Sequence, residues 1–253
     1  MLGTSGKMAI IASNKMNRRP IKRLVDNDIK KAKVVSPKDF KKLLFIIDLT
    51  RNPERNRVIL FLLFMSGFRV TEVACIRIKD VIWPNGKVRE EARIPAKYTK
   101  TGTAGHVYFY NRKLIKAIEL YLEKRVAKKQ RLGSNNEFRG LDPESPLVLS
   151  EKGSGYSLKK KKRTDKDGNV REYWAADTLQ EIVGIWGKEA GIEGFSSHSG
   201  RRTFCTRLTK KAGVSEEMLC ALLRHETDNM PYEYFDFNDE SARAVMDRLY
   251  SED

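Results

Sequence analysis

The stretch RVILFLLFMSG, residues 57–67, sets the terms for the rest of the chain. Asn52 followed by Pro53 gives it a helix start signal, and Gly67 ends it. A helix that is apolar nearly all round must be buried, so other elements have to pack around it. Its unbroken apolar run, residues 58–65, falls far short of the roughly 20 residues that cross a membrane. With 253 residues there is chain enough to cover such a helix, in one large domain or two small ones.

The flanking sequence supplies the covering elements. Ser36 and Pro37 start an earlier helix whose apolar face is Phe40, Leu43, Leu44 and Ile47. A third, short helix is expected from 71 to about 78, which puts Arg69 at a junction between two helices. The period then changes to alternation, with turn signals at Pro84-Asn85-Gly86 and at Thr101-Gly102 with Gly105. Three antiparallel strands follow, over about 81–83, 87–95 and 105–110.

A charged helix over about 112–129 turns Leu114, Ile118, Tyr121, Leu122 and Val126 inward. A loop over 130–146 leads to a short strand at SPLVLS. Residues 159–174 look inserted: five consecutive basic residues, an Asp167-Gly168 turn and the aromatic pair Tyr173 and Trp174 suggest a protruding basic hairpin. Beyond it the chain is helical over about 176–190, 199–212 and 215–223. A turn bearing Tyr234 follows, then an amphipathic helix over 239–250 capped by Asn238. The class is α+β, mainly α-helical, with a small three-stranded antiparallel sheet.

Charge narrows the partners. Lys and Arg number 49 against 33 Asp and Glu, a formal net charge of +16. Such an excess suits a polyanion, because released counterions drive binding to nucleic acid. Residues 1–34 mix small residues with basic ones and read as a flexible basic arm, either touching DNA or simply solvated, ahead of an ordered domain over 35–253. The three cysteines, Cys75, Cys205 and Cys220, are few and odd in number, as buried thiols in a reducing compartment are. His106, His198 and His225 do not flank cysteine pairs, so no zinc site is expected. No secretion signal opens the chain, which points to the cytoplasm and, with the charge, to the nucleoid.

Two strings near the C-terminus carry chemistry. In SHSGRRTFCTRL, His198 and Arg201 stand three apart; in LLRHETDNMPYEYF, His225 precedes Tyr234 by nine residues. Together these make a phosphate-handling site with a nucleophile. Set beside SGFRVTE (66–72) and TKTG (99–102), the series resembles the catalytic domain of tyrosine recombinases, the phage integrase and Xer-type family, over about residues 35–250.

The resemblance implies roles. Arg69 matches the first catalytic arginine and Glu72 the acid three residues on that supports the site. Lys100 matches the lysine on a turn between strands, His198 and Arg201 the His–x–x–Arg box, His225 the His-or-Trp position and Tyr234 the nucleophile. The chemistry agrees. Two guanidiniums suit the charge that gathers on phosphate oxygens under attack. Tyr234 must lose a proton with a free pKa of about 10, for which His198 is the base, and Lys100 can protonate the departing sugar oxygen. Neither metal nor cofactor is expected. By resemblance the link is a 3′-phosphotyrosine, and the outcome is integration, excision or inversion of DNA.

Rivals remain within the motifs. Tyr232 competes with Tyr234, and Lys97 with Lys100. Glu72 is a first-turn acid whatever else it does, His225 could cap a helix end, and His106 reads as structural. Lys97, Arg202 and Arg224, with Lys160, Lys161, Lys162 and Arg163 of the hairpin, are candidate DNA contacts. Arg224 stands where the family usually has Gly, and Gly200 where an apolar residue is common, which would loosen that helix start.

Most relatives carry a core-binding domain upstream, for which some 34 residues leave no room. That suggests a catalytic fragment, or a compact recombinase like the fimbrial phase-variation invertases. The expected partners are duplex DNA, accessory DNA-bending proteins and three further copies joined through the 239–250 helix, unless that helix packs in cis. Two alternatives share the fold: relaxation of DNA as a type IB topoisomerase, and DNA binding by a regulator without catalysis.

Overall fold

Two helices open the described part of the chain, which in this computed structural model covers residues 32–98, 104–164, 168–212 and 216–223. Residues 1–31 of the expected basic arm, and the helix expected over 239–250, lie outside it. Helix α1 (Pro37–Asp48) starts where Ser36 and Pro37 place it, the Ser36 hydroxyl accepting the Asp39 N–H at 3.1 Å. It buries Leu43 and Ile47, with Phe40 and Leu44 half-buried beside them. Helix α2 (Pro53–Met65) is the apolar stretch, and every residue from Val58 to Phe64 is buried. Asn52 holds its N-cap position, but the Asn52 side chain makes no capping bond.

What surrounds α2 is what its sequence demands. It packs against α1, against α5 (Arg112–Ala127) and against α7 (Ser199–Ala212). The α2–α7 approach is close because Gly200 has no side chain: a Cβ there would sit 2.8 Å from Leu63 Cβ and 2.9 Å from Phe64 Cδ2. The glycine thus lets α7 approach α2 closely, at a cost in helix propensity. Gly200→Ala gains roughly 1 kcal/mol of helix propensity. It should nonetheless destabilise the protein, because overpacking a dense core costs about 1–3 kcal/mol. A lower urea midpoint checks this.

The short helix expected over 71–78 is two. Helices α3 (Val70–Cys75) and α4 (Ile78–Val81) are separated by extended backbone at Ile76 and Arg77. The division is chemical: Asp80 reaches back to the Arg77 N–H at 3.0 Å and caps a new helix. That turn takes up Val81, so the first expected strand is missing. The sheet has two strands rather than three, β1 (Glu91–Ile94) and β2 (Gly105–Tyr108), antiparallel with Glu91 opposite Tyr108. Residue 82 contributes only an isolated bridge to Val88.

SPLVLS is not a strand either. Arg125, fully buried on α5, donates to the carbonyls of Pro146 and Leu147 at 2.8 and 3.2 Å. Arg55 on α2 reaches the Leu149 carbonyl at 3.3 Å, and the Leu149 N–H donates to the Tyr121 hydroxyl at 3.1 Å. Side chains of two helices therefore satisfy the backbone that a neighbouring strand would have paired. Burial lowers the pKa of Arg125 and raises that of Tyr121. The same helix α5 carries Leu114, Ile118, Tyr121 and Leu122 inward as expected, but Val126 faces solvent.

After this segment come the hairpin β3 (Lys159–Thr164) and β4 (Val170–Ala175), then α6 (Asp177–Glu189), α7 and α8 (Glu216–Leu223). One large apolar core runs through α1 to α6, and a smaller one joins Cys205, Leu219 and Leu223 with Phe204 and Leu208. Cys75 and Cys205 are buried and not in a disulfide; the Cys220 side chain lies outside the described residues. No helix among the described residues is long and apolar enough to cross a membrane.

Candidate active site

The site is built on the turn between α2 and α3. Gly67 closes α2 with φ +62°, a left-handed conformation that glycine adopts without strain. A Cβ at Gly67 would lie 2.5 Å from Cδ1 of Phe204, so the α7 ring rests directly on the turn. One helical turn earlier on α7, Arg201 donates from Nη1 to the Gly67 carbonyl at 2.5 Å. Its Nη2 donates to the carbonyl of Leu223, the last residue of α8. Only 2% of Arg201 is exposed, and the two carbonyls hold its plane in place.

Two residues past Gly67, Arg69 occupies the N-cap of α3. Glu72, at the third helical position, grips it twice: Oε2 accepts the Arg69 N–H at 2.8 Å, and Oε1 accepts from Nη1, also at 2.8 Å. The carboxylate is fully buried and the Arg69 side chain nearly so. A first-turn acid complements the helix dipole, and here it also fixes the guanidinium in front of it. Arg69, Glu72 and Arg201 thus gather at one turn although 132 positions separate Arg69 from Arg201 in sequence.

His198 immediately precedes α7, three residues before Arg201. Ser196 and Ser199 shape this approach: Ser196 Oγ accepts the His198 N–H at 3.3 Å, and Ser199 Oγ accepts the Ser196 N–H at 3.0 Å. The His198 side chain is exposed, and its carbonyl accepts the Arg202 N–H at 2.9 Å. Lys100, Arg224, His225 and Tyr234 lie outside the described residues, as do the side chains of Lys97 and Arg163.

The remaining basic candidates fall into two groups. Arg202 donates from Nη1 to the Ala32 carbonyl at 2.7 Å, next to the Val35 N–H that donates to Thr203 Oγ1 at 2.9 Å, so it anchors the entry of the domain to α7. Lys160 and Lys162 lie against Glu172, and Lys161 against Asp177. The base of this hairpin touches α3, where Thr71 Oγ1 donates to the Trp174 carbonyl at 3.5 Å. His106 sits on β2 with its Nδ1 3.8 Å from an exposed Glu91 carboxylate.

Sequence reasoning read Gly67 only as a helix end; its carbonyl is also a partner of Arg201. The signal was the glycine itself, since a helix terminator commonly turns left-handed and exposes its carbonyl. Phe204, whose ring covers that turn, gave no such signal. Chemically, two guanidiniums are fixed near one turn, Arg69 by the Glu72 carboxylate and Arg201 by two backbone carbonyls. Among the described residues no group of three or more His, Cys, Asp or Glu side chains is placed to hold a metal ion.

Comparison with known proteins places the fold. The XerA recombinase crystal structure shares 18% identity and superposes with a TM-score of 0.59 over 86% of this chain and 65% of its own. The Tn1549 transposon integrase, in complex with transposon right-end DNA, gives 16% identity and 0.60, over 92% of this chain and 70% of its own. XerH bound to palindromic difH, a post-cleavage complex, gives 19% and 0.59, over 88% of this chain and 54% of its own. At such identities the likeness establishes the fold, and the chain spans less than two thirds of XerA and little more than half of XerH. No curated protein matches it. The model of the phage integrase family matches residues 33–241, the whole of the helical domain and the turn that carries Arg69, and so the chain belongs to the phage integrase family of tyrosine recombinases.

Proposed function

We propose that the chain is a site-specific DNA recombinase that cuts and rejoins strands through a covalent phosphotyrosyl link. The observation that carries this reading is that Arg201 is bonded to the Gly67 carbonyl, two residues before Arg69. A phosphodiester seated there would find two guanidiniums against its non-bridging oxygens. Tyr234 attacks phosphorus, with His198 taking the phenolic proton and His225 supporting the phosphate. The bond to the sugar 5′-oxygen breaks, and Lys100 protonates that oxygen as it leaves.

The products are a 3′-phosphotyrosine and a free 5′-hydroxyl. Because the bond energy stays in the phosphotyrosyl link, a 5′-hydroxyl from another strand can reverse the step. Neither ATP nor a metal is needed to close it. Family membership supports the reading, as do the Tn1549 integrase and XerH, whose structures hold DNA. The natural assembly would be four copies on duplex DNA, exchanging the 239–250 helix and aided by DNA-bending proteins, for integration, excision or inversion.

The test is a nicked duplex that loses its 5′-hydroxyl fragment after cleavage and so traps the intermediate. The full chain should form a denaturant-stable protein–DNA adduct whose tryptic peptide maps the DNA to Tyr234. An adduct at Tyr232 would reassign the nucleophile. No adduct on a duplex containing the recombination site would defeat the reading.

A further inference from the structure

The β3–β4 hairpin holds more positive charge than its own acids balance, and the way it is balanced is unusual. Four lysines share two carboxylates. Lys160 forms a close ion pair with Glu172, and Lys162 approaches the same carboxylate at 3.6 Å. Lys161 and Lys159 reach Asp177, the first residue of α6, at 2.6 and 3.9 Å. Successive strand residues point to opposite faces, so each carboxylate serves one face of the hairpin. The strand register also brings the backbone of residue 163 opposite that of residue 171.

The lysines remain open to solvent, their side chains 42% to 73% exposed. Hydrogen bonding to Lys160 holds the Glu172 carboxyl below its ordinary pKa, and the hydrogen bond to Asp177 raises that of Lys161. A phosphate row is the anion that fits such a surface. The hairpin base is tied to α3 at Thr71, two residues from Arg69. Six-residue strands span about 20 Å. That is the length of about six base-pair steps, so a duplex passing the Arg69 turn presents several phosphates within reach.

We propose that the hairpin is a second clamp on the DNA backbone, distinct from the cleavage site, and that Glu172 is a built-in competitor occupying Lys160 and Lys162 until phosphates displace it. The proposal rests on the reading of duplex DNA as the partner. It makes Glu172 a brake on DNA affinity: a negative side chain on a binding surface whose removal tightens binding. It also makes the brake specific, since Glu172 acts through two named lysines.

The experiment measures binding of the full chain to a fluorescent duplex of mixed sequence over a salt series. K160A/K162A should flatten the slope of log K against log salt by about 1.8, two phosphate contacts at about 0.9 each. E172Q should tighten binding by about two- to fivefold, the scale of an exposed ion pair. In the K160A/K162A background E172Q should do nothing, which closes a double-mutant cycle. An unchanged slope in K160A/K162A overturns the proposal, and so does equal tightening by E172Q with and without the lysines, which would be a mere net-charge effect. If the wild type binds duplex DNA and forms the Tyr234 adduct while either result appears, only the clamp falls. If the wild type does not bind duplex DNA at all, both readings fall together.

Discussion

Arg201→Ala should slow adduct formation on the nicked duplex by about 10²–10³-fold, the loss typical of one preorganised anion-stabilising donor. The same substitution should lower stability. It strips the Gly67 and Leu223 carbonyls of their shared donor inside the protein, and each buried acceptor left unpaired costs about 1–3 kcal/mol. Each kcal/mol lowers Tm by roughly 2–4 °C in a domain of this size. The two effects separate through Arg201→Lys. A lysine keeps the charge, but as a point donor it cannot hold two carbonyls and a phosphate in one plane. Part of the DNA affinity should therefore return in Arg201→Lys while the adduct rate stays low. If Arg201→Ala loses stability but the rate per folded molecule is unchanged, Arg201 is a strut and not a clamp.

The double attachment of Arg201 also shows where sequence reading stops. That Arg201 was a candidate phosphate ligand was legible, because His–x–x–Arg ahead of a late tyrosine is a chemical pattern. That its planar group would be held by carbonyls at Gly67 and Leu223 was not, since a helix-ending glycine marks an exposed carbonyl but not the distant side chain that reaches it. The buried α2 and the start of α1 were legible for a related reason: their signals, an all-round apolar run and Ser-Pro, are local. So was the basic hairpin, which announces itself through its Asp-Gly turn, although the sharing of Glu172 between Lys160 and Lys162 emerges only from the pairing register.

The misreadings share a cause. Residues 81–83 are β-branched and aromatic like a strand, yet Asp80 caps a helical turn that consumes Val81. The run at 145–150 is apolar and short, a pattern that does not distinguish strand from packed loop. It became a loop because Arg125, some 20 residues earlier, and Arg55, some 90 residues earlier, took up its carbonyls. Buried arginines on otherwise apolar helices were visible in the sequence, but their destinations lay too far along the chain to infer. Gly200 is the same lesson in small: it looked like a weak helix start, and only the proximity of Leu63 and Phe64 explains why no side chain fits.

Glu72 offers the sharpest separation of positioning from packing. Its carboxylate is fully buried and holds Arg69 by the backbone N–H and by Nη1. Glu72→Ala removes one member of a buried ion pair, which typically costs about 3–5 kcal/mol. Tm should fall by roughly 2–4 °C for each of those kcal/mol. Glu72→Gln retains an acceptor and most of the volume, so its stability loss should be smaller, about 1–2 kcal/mol. The functional outcomes should not follow stability in proportion. In Glu72→Gln the amide donates where the carboxylate accepted, and one of its two ends must then turn a hydrogen toward either the Arg69 N–H or its guanidinium. Arg69 is pushed from its place in a protein that still folds well. Duplex affinity, which many cations share, should therefore stay nearly constant in Glu72→Gln while the adduct rate falls about tenfold or more, because a small misplacement of a clamping group costs rate rather than binding. Equal losses in stability and rate across Ala and Gln would mean that Glu72 only braces α3. A rate that collapses in Glu72→Gln while Tm barely moves would mean that the buried carboxylate is there to aim Arg69 at the phosphate.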